Sequence, residues 1–235
     1  MKYMGSKARI AKHILPIMLK AAEERGITHW VEPFVGGANM IDKVPSHFTR
    51  VGYDIDPHVI QALIGIRDHL DKLPSEVSEE YYKSLKNLPP DPITSWVRYE
   101  CSFGSKFQAG YARNKVGSNY ALMGRNLAVK QSPLISGILL WQGDYTGINI
   151  GNERCVIYCD PPYEGTTSYK GKFDHSKFWE WCREKSREGH LVFVSEYNAP
   201  QDFECIWQGE IKTNFASQRT EATHKATEKL FIFKP

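Results

Sequence analysis

The stretch with the most chemical content is Asp160-Pro161-Pro162-Tyr163. It brings together a carboxylate, a prolyl carbonyl and an aromatic ring, and two prolines of fixed φ stiffen the turn that carries them. A planar group bearing an amino function suits this set. The carboxylate of Asp160 and the carbonyl of Pro161 can accept its two N–H bonds while the ring of Tyr163 lies on its face. A nucleobase amine has that shape. The same residues also read as an ordinary turn followed by a half-buried ring, so the surroundings decide. Val156-Ile157-Tyr158-Cys159 is an apolar and aromatic run that reads as a buried strand stopped by the prolines. The acid and the aromatic then sit at a strand's carboxyl end, where open α/β sheets bind ligands.

Other runs end in residues of similar promise. His29-Trp30-Val31-Glu32-Pro33 reads as a strand, followed by Phe34-Val35-Gly36-Gly37-Ala38-Asn39 and an apolar run that begins at Met40 and Ile41. Strand, glycine turn and helix is a layout that brings backbone N–H groups close to a nucleotide-like ligand. The next strand, over 49–53, closes on Asp54-Ile55-Asp56-Pro57. This sets an acid about twenty residues past the glycines, where nucleotide-binding α/β folds hold a ribose diol. Asp54, at the strand's end, is the candidate for that role; Asp56 precedes the proline that opens a helix over 58–70 and is suited to cap it. A third strand, over 137–142, closes on Gly143-Asp144-Tyr145 and again presents an acid.

At the start of the chain Met4-Gly5-Ser6 forms a turn, Ser6 is a candidate N-cap, and Ile10, Ile14, Ile17 and Met18 recur at helical spacing. Lys7 in the first turn opposes the helix macrodipole: it is either solvated or has a local partner such as an anion or a carboxylate. Further along, 73–87 reads as a short helix, 88–92 as a rigid proline-rich linker, 127–134 as helix, 164–171 as a polar loop and 173–188 as a charged helix. Leu191-Val192-Phe193-Val194 is a buried strand ending in Ser195-Glu196-Tyr197, and the runs 205–207 and 229–233 fit a hairpin at a sheet edge.

Composition narrows the class. With 235 residues, 41% hydrophobic and 24% charged, the chain suits one α/β domain with a small insertion, soluble and cytoplasmic, with no apolar run of membrane-spanning length and no membrane partner. Its five cysteines lack a paired metal-ligand spacing, so buried free thiols and no metal are expected. The net charge of +3 is mild but uneven: Arg98, Lys106, Arg113, Lys115, Arg125 and Lys130 face only Glu100. With the aromatics Trp96, Tyr99, Phe103, Phe107, Tyr111 and Tyr120 interleaved, the stretch 93–126 suits either stacking and phosphate contact with nucleic acid or the core and rim of a helical subdomain.

Taken together, the Tyr-Met-Gly-Ser-Lys opening, the glycine turn, the acid at 54, Gly143-Asp144 and Asp160-Pro161-Pro162-Tyr163 resemble the DNA adenine-N6 methyltransferases of the Dam family, in particular the compact phage and prophage type. Cys101-Ser102-Phe103-Gly104 with Gly110-Tyr111-Ala112-Arg113, and the closing Arg219-Thr220-Glu221 and Glu228-Lys229-Leu230-Phe231, are similar to that subset too. The resemblance implies a Rossmann-like S-adenosylmethionine-dependent methyltransferase fold, with a catalytic domain over 1–70 and 127–235 and a small, mostly helical target-recognition insertion over 71–126. It further implies S-adenosylmethionine as cofactor, bound at Tyr3, Lys7, Asp54 and Asp160 over the turn of Pro33, Phe34, Gly36 and Gly37. Asp54 would hold the ribose hydroxyls, Asp144 the cofactor's adenine amine, and Phe34 and Ile55 would sandwich its ring. Asp160, Pro161 and Tyr163 would be catalytic on a flipped adenine in duplex DNA. Lys106, Arg113, Lys115 and Arg125 would bind DNA, with Arg113 and Arg125 either reading guanine or clamping phosphate. A cognate restriction endonuclease, as in restriction-modification pairs, is the partner such a reading allows.

Two departures from the commonest family form stand out: Ala38 and Asn39 follow the glycines where Gly-Ser or Gly-Ala is more usual, and the opening has Gly-Ser where Gly-Gly is frequent. The competing readings are methylation of an RNA adenine or of cytosine N4, which offer the same amine geometry, and a catalytically silent DNA-binding relative. A side-chain amide is disfavoured because the related motif there usually begins with Asn, where this chain has Asp160.

Overall fold

The computed structural model describes residues 1–113, 117–151, 153–164, 173–212 and 225–234. The fold is α/β, with seven strands and six α-helices among the described residues. It divides into two compact units, Met1–Ala11 with Trp30–Asn149, and Lys12–His29 with Ile150–Pro235.

In chain order, Ser6 does act as a cap, but for a single 3-10 turn, Lys7–Arg9, accepting the Ala8 N–H at 3.3 Å. Helix α1 (Ala11–Glu24) follows and buries Ile14, Met18 and Ala22 on one face. Strand β1 (His29–Glu32) leads into the glycine turn. No α-helix follows that turn: the apolar run at Met40 and Ile41 makes only a 3-10 turn, Ile41–Lys43. Pro45 explains the difference, because it forces Val44 into extended backbone (φ −69°, ψ 131°) and ends the winding.

Strand β2 (Thr49–Asp54) precedes helix α2 (Pro57–Asp68), which begins as expected, with Asp56 accepting the His58 N–H at 2.8 Å and Pro57 in the first turn. The expected helix at 73–87 is only α3 (Glu79–Ser84), capped by Ser78. The proline-rich segment is no spacer. Its Asp91 accepts the N–H groups of Ile93 and Thr94 at 3.0 Å and starts helix α4 (Pro92–Glu100). α4 lies so close to α2 that a Cβ on Gly65 would come within 2.5 Å of the Pro92 carbonyl oxygen. The segments 101–104 and 110–113 after α4 pair with each other, Phe103 N–H to Gly110 O and Ala112 N–H to Cys101 O, both at 2.8 Å. Helix α5 (Tyr120–Ile135), capped by Asn119, starts well before 127 and runs through the expected boundary at 126.

Strand β3 (Leu139–Gln142) pairs in parallel with β2, Asp54 opposite Gln142, so the first unit's strands run in the order β3-β2-β1. Buried Arg50 of β2 donates to the carbonyls of Leu134 (3.0 Å) and Ser136 (2.8 Å), closing the otherwise unsatisfied end of α5.

In the second unit, strand β4 (Val156–Cys159) is buried throughout, helix α6 (His175–Arg187) is capped by Asp174, and strand β5 (Leu191–Glu196) runs parallel to β4. Unbroken apolar runs are what strands covered on both faces require. The tail forms the hairpin expected, longer than its apolar runs suggest: β6 (Phe203–Lys212) and β7 (Lys225–Phe233), with β7 antiparallel to β5 and the order β4-β5-β7-β6. Cys101, Cys155, Cys159 and Cys182 are buried as expected, whereas Cys205 is exposed on edge strand β6. No helix among the described residues is long and apolar enough to cross a membrane. No group of three or more His, Cys, Asp or Glu among them could hold a metal.

Candidate active site

In the first unit the glycine turn is held from two sides. Val35 donates its N–H to Tyr53 O at 2.8 Å, and Gly36, at φ +47°, donates to Asp54 Oδ2 at 3.0 Å. The turn passes so close to the opening residues that a Cβ on Gly36 would lie 2.8 Å from the Tyr3 ring. One on Gly37 would lie 2.5 Å from Asn39 Nδ2 and 2.8 Å from the Met1 carbonyl oxygen. The departures noted in the sequence find their places here. Ala38 takes a left-handed conformation, φ +56°, that glycine adopts more readily, and the Asn39 amide donates to Met1 O at 3.0 Å. Gly37→Ala is therefore expected to cost about 1–3 kcal/mol of unfolding free energy through overpacking. Urea titration measures that cost, and a parent-like midpoint would show that the turn has room to give.

Asp54 ends β2 as expected and is buried. Oδ2 accepts from Gly36 and Oδ1 from the Asp56 N–H at 3.0 Å. Burial pushes this carboxyl up to about 7, against the pull of those N–H groups. Next to it Ile55 is 65% exposed, an unusual setting for a large apolar side chain. Pro33 is buried, and Phe34 is half-buried with its ring 5.6 Å from that of Tyr145. Asp144 is exposed beyond the end of β3 and accepts from the backbone and hydroxyl of Thr146. Lys7 is buried rather than solvated, donating to Gly5 O at 3.0 Å. Tyr3, Lys7, Pro33, Phe34, Gly36, Gly37, Asp54, Ile55 and Asp144 thus all fall in the first unit, and Asp160, Pro161 and Tyr163 in the second.

In the second unit Asp160 follows β4 directly and is half-buried, with Pro161 buried behind it. The Tyr163 hydroxyl donates to Glu228 Oε2 at 2.6 Å, and the Tyr163 ring stands edge-on to Tyr197, centroids 4.6 Å apart and planes at 86°. Burial raises the phenol well above its ordinary range, reinforced by the charges of Asp160 and Glu228. Glu196, buried at the end of β5, accepts the Glu164 N–H at 2.7 Å, and burial also raises its carboxyl. Sequence reasoning assigned no role to Glu196 or Glu228. An acid closing the buried run of β5 was the available signal for the first; the second is one acid in an alternating strand. The corner as built can hold a planar amine, because it pairs a partly accessible carboxylate with a ring of fixed orientation.

Residues 3–91 match the D12 class N6 adenine-specific DNA methyltransferase family. The matched segment contains the opening, the glycine turn and Asp54. The chain is a methyltransferase with S-adenosylmethionine as its cofactor, as the resemblance implied. Among solved structures it is similar to the rRNA methyltransferase AviRa from Streptomyces viridochromogenes (11% identity, TM-score 0.47, 96% of this chain and 84% of that one). It is also similar to the N-terminal domain of human METTL16 in complex with SAH (7%, 0.42, 96% and 70%) and to the putative methyltransferase yhhF from Escherichia coli (8%, 0.40, 100% and 91%). No curated protein matches the sequence.

The first unit of this methyltransferase fits its cofactor in chemical kind. A buried carboxylate already oriented by backbone N–H groups can accept the hydroxyls of a ribose diol, and the exposed apolar side chain beside it suits a flat heterocycle.

The cationic stretch proves less uniform than its charge count. Arg98 is buried, donates to Leu88 O at 2.9 Å and lies over the Phe107 ring, so it belongs to the core, as do Trp96 and Tyr99. Arg125 is half-buried and donates to Leu73 O at 3.0 Å. Arg113 is exposed and pairs with Glu79, and Lys106 is exposed. Lys115 and the segment Arg219-Thr220-Glu221 lie outside the described residues.

Proposed function

We propose that the chain transfers a methyl group from S-adenosylmethionine to the N6 amine of an adenine turned out of duplex DNA. The observation that carries this reading is Asp160-Pro161-Pro162-Tyr163 at the carboxyl end of β4, with the Tyr163 hydroxyl engaged by Glu228. The family matched by residues 3–91 supports DNA adenine as the acceptor. When bound, the cofactor supplies an electrophilic sulfonium methyl. Asp54 would hold the ribose hydroxyls, Phe34 and Ile55 would flank the cofactor's ring, Asp144 would take its amine, and Tyr3 and Lys7 would bind the cofactor over the turn of Gly36 and Gly37.

The acceptor nitrogen is a poor nucleophile because its lone pair is delocalised into the purine. Asp160 and the Pro161 carbonyl accept its two hydrogens and favour a more pyramidal nitrogen, so the N–C bond forms as the S–C bond breaks and the surplus proton leaves by way of Asp160. Turning the base out costs a few kcal/mol, and stacking on Tyr163 returns about 1–3 kcal/mol of that. Lys106 and Arg113, both exposed, make up the DNA set with Lys115 and Arg125, and Arg113 and Arg125 either read guanine or clamp phosphate.

Incubation with tritiated S-adenosylmethionine and duplex DNA, RNA or protein, followed by base-resolution mapping, tests this. Label at adenine N6 within one duplex sequence context is expected. Label in RNA, at cytosine N4, or in no substrate overturns it.

A further inference from the structure

In the function proposed above the face of Tyr163 has a task and its hydroxyl has none. That hydroxyl donates at 2.6 Å to Glu228 Oε2, and Glu228 is 4% exposed. A short O–H···O⁻ bond to a buried carboxylate is among the stronger hydrogen bonds available to a side chain. The phenolic oxygen lies on the axis about which the ring spins, so the bond fixes where that axis points and leaves the spin open. The edge-on ring of Tyr197, at 86°, limits the spin. Glu196, opposite Lys229 in the β5–β7 pairing, takes the N–H of Glu164, the residue after the tyrosine. Axis, spin and following backbone are each held by a different residue.

We propose that Glu228 is a positioning residue for methyl transfer, fixing the axis of the Tyr163 ring for an incoming base by accepting its phenolic hydrogen, while itself touching neither base nor cofactor. The inference rests on the methyl-transfer reading and deepens it. The phenol stays a donor throughout the working pH range, since burial and the neighbouring acids hold it protonated.

The test is a double-mutant cycle on the whole chain with Glu228→Ala, Tyr163→Phe and the pair together, plus Glu228→Gln. Methylation kinetics on duplex DNA, 2-aminopurine fluorescence at the target base, S-adenosylhomocysteine affinity and urea unfolding are read for each. Glu228→Ala is expected to lower kcat/KM by about 10- to 100-fold and to weaken the 2-aminopurine signal, with S-adenosylhomocysteine affinity within about twofold. Glu228→Gln, whose amide oxygen still accepts, should recover most of the loss. The double variant should be no worse than Tyr163→Phe alone, because both remove the same bond. Effects that multiply, full activity in Glu228→Ala, or a loss explained wholly by weaker S-adenosylhomocysteine binding would overturn the proposal. If Glu228→Ala does not fold, Glu228→Leu, which fills the space but cannot accept, completes the same cycle with and without Tyr163→Phe. A parent inactive on every nucleic acid overturns the acceptor assignment, and non-additive unfolding energies in that case still support the Tyr163–Glu228 clamp.

Discussion

Asp160→Ala is expected to slow methylation of DNA by about 10²- to 10³-fold, the usual cost of removing one preorganised group that meets charge developing in a transition state. The reason lies in when the carboxylate is needed. In the ground state the adenine amine is nearly planar and almost neutral; as the N–C bond forms, its nitrogen becomes positive, and an adjacent carboxylate is worth most at that moment. Asp160→Asn keeps one acceptor without the charge and should fall between alanine and parent. Because Asp160 was also expected to touch the cofactor, the decisive comparison is between turnover and S-adenosylhomocysteine affinity. Affinity within about threefold of the parent, beside a loss of single-turnover rate, assigns the side chain to the amine. Equal losses in both would assign it to the donor, and an unchanged rate would remove it from the reaction.

Features that are local in sequence were legible without coordinates. The buried run before Asp160, Asp54 at the end of β2 and Asp56 as the cap of α2 each follow from a few neighbouring residues, and the structure keeps them where they were read. The helix expected after the glycine turn failed because an apolar run signals burial, not length, and Pro45 limits the winding. The start of α5 was read late since Leu122 and Met123, near its beginning, are exposed and leave no clean apolar face. Charge counting does not separate Arg98 from the exposed cations, because it does not see that a carbonyl and a ring wait for the guanidinium in the interior. The segment of Glu228 belongs to the resemblance, but its partner is not legible for a related reason: the donor lies 65 residues away, and alternation along a strand does not say which inward acid will meet it.

Affinity for S-adenosylhomocysteine is expected to rise about tenfold per pH unit from 5 to 7 and then level off, since only the ionised Asp54 carboxylate accepts both ribose hydroxyls. Its carboxyl stands at about 7, raised mainly by burial and further by the charge of Asp56, against hydrogen bonds from the N–H groups of Asp56, Gly36 and Ile55. The stability of the cofactor-free protein should run the other way. A carboxyl raised from 3.8 to about 7 binds its proton more tightly in the folded chain than in the unfolded one. Its contribution is therefore fully present below the unfolded value, declines as pH rises through that window, and is gone above the folded value. Opposite slopes in one pH interval are a signature that a general loss of structure at acid pH cannot produce. Calorimetric titration from pH 5 to 8, with urea unfolding of the free protein alongside, reads both. Asp54→Asn, which cannot ionise, should bind weakly and without the slope; a slope that survives in that variant would move the titration to another group and deprive Asp54 of the ribose.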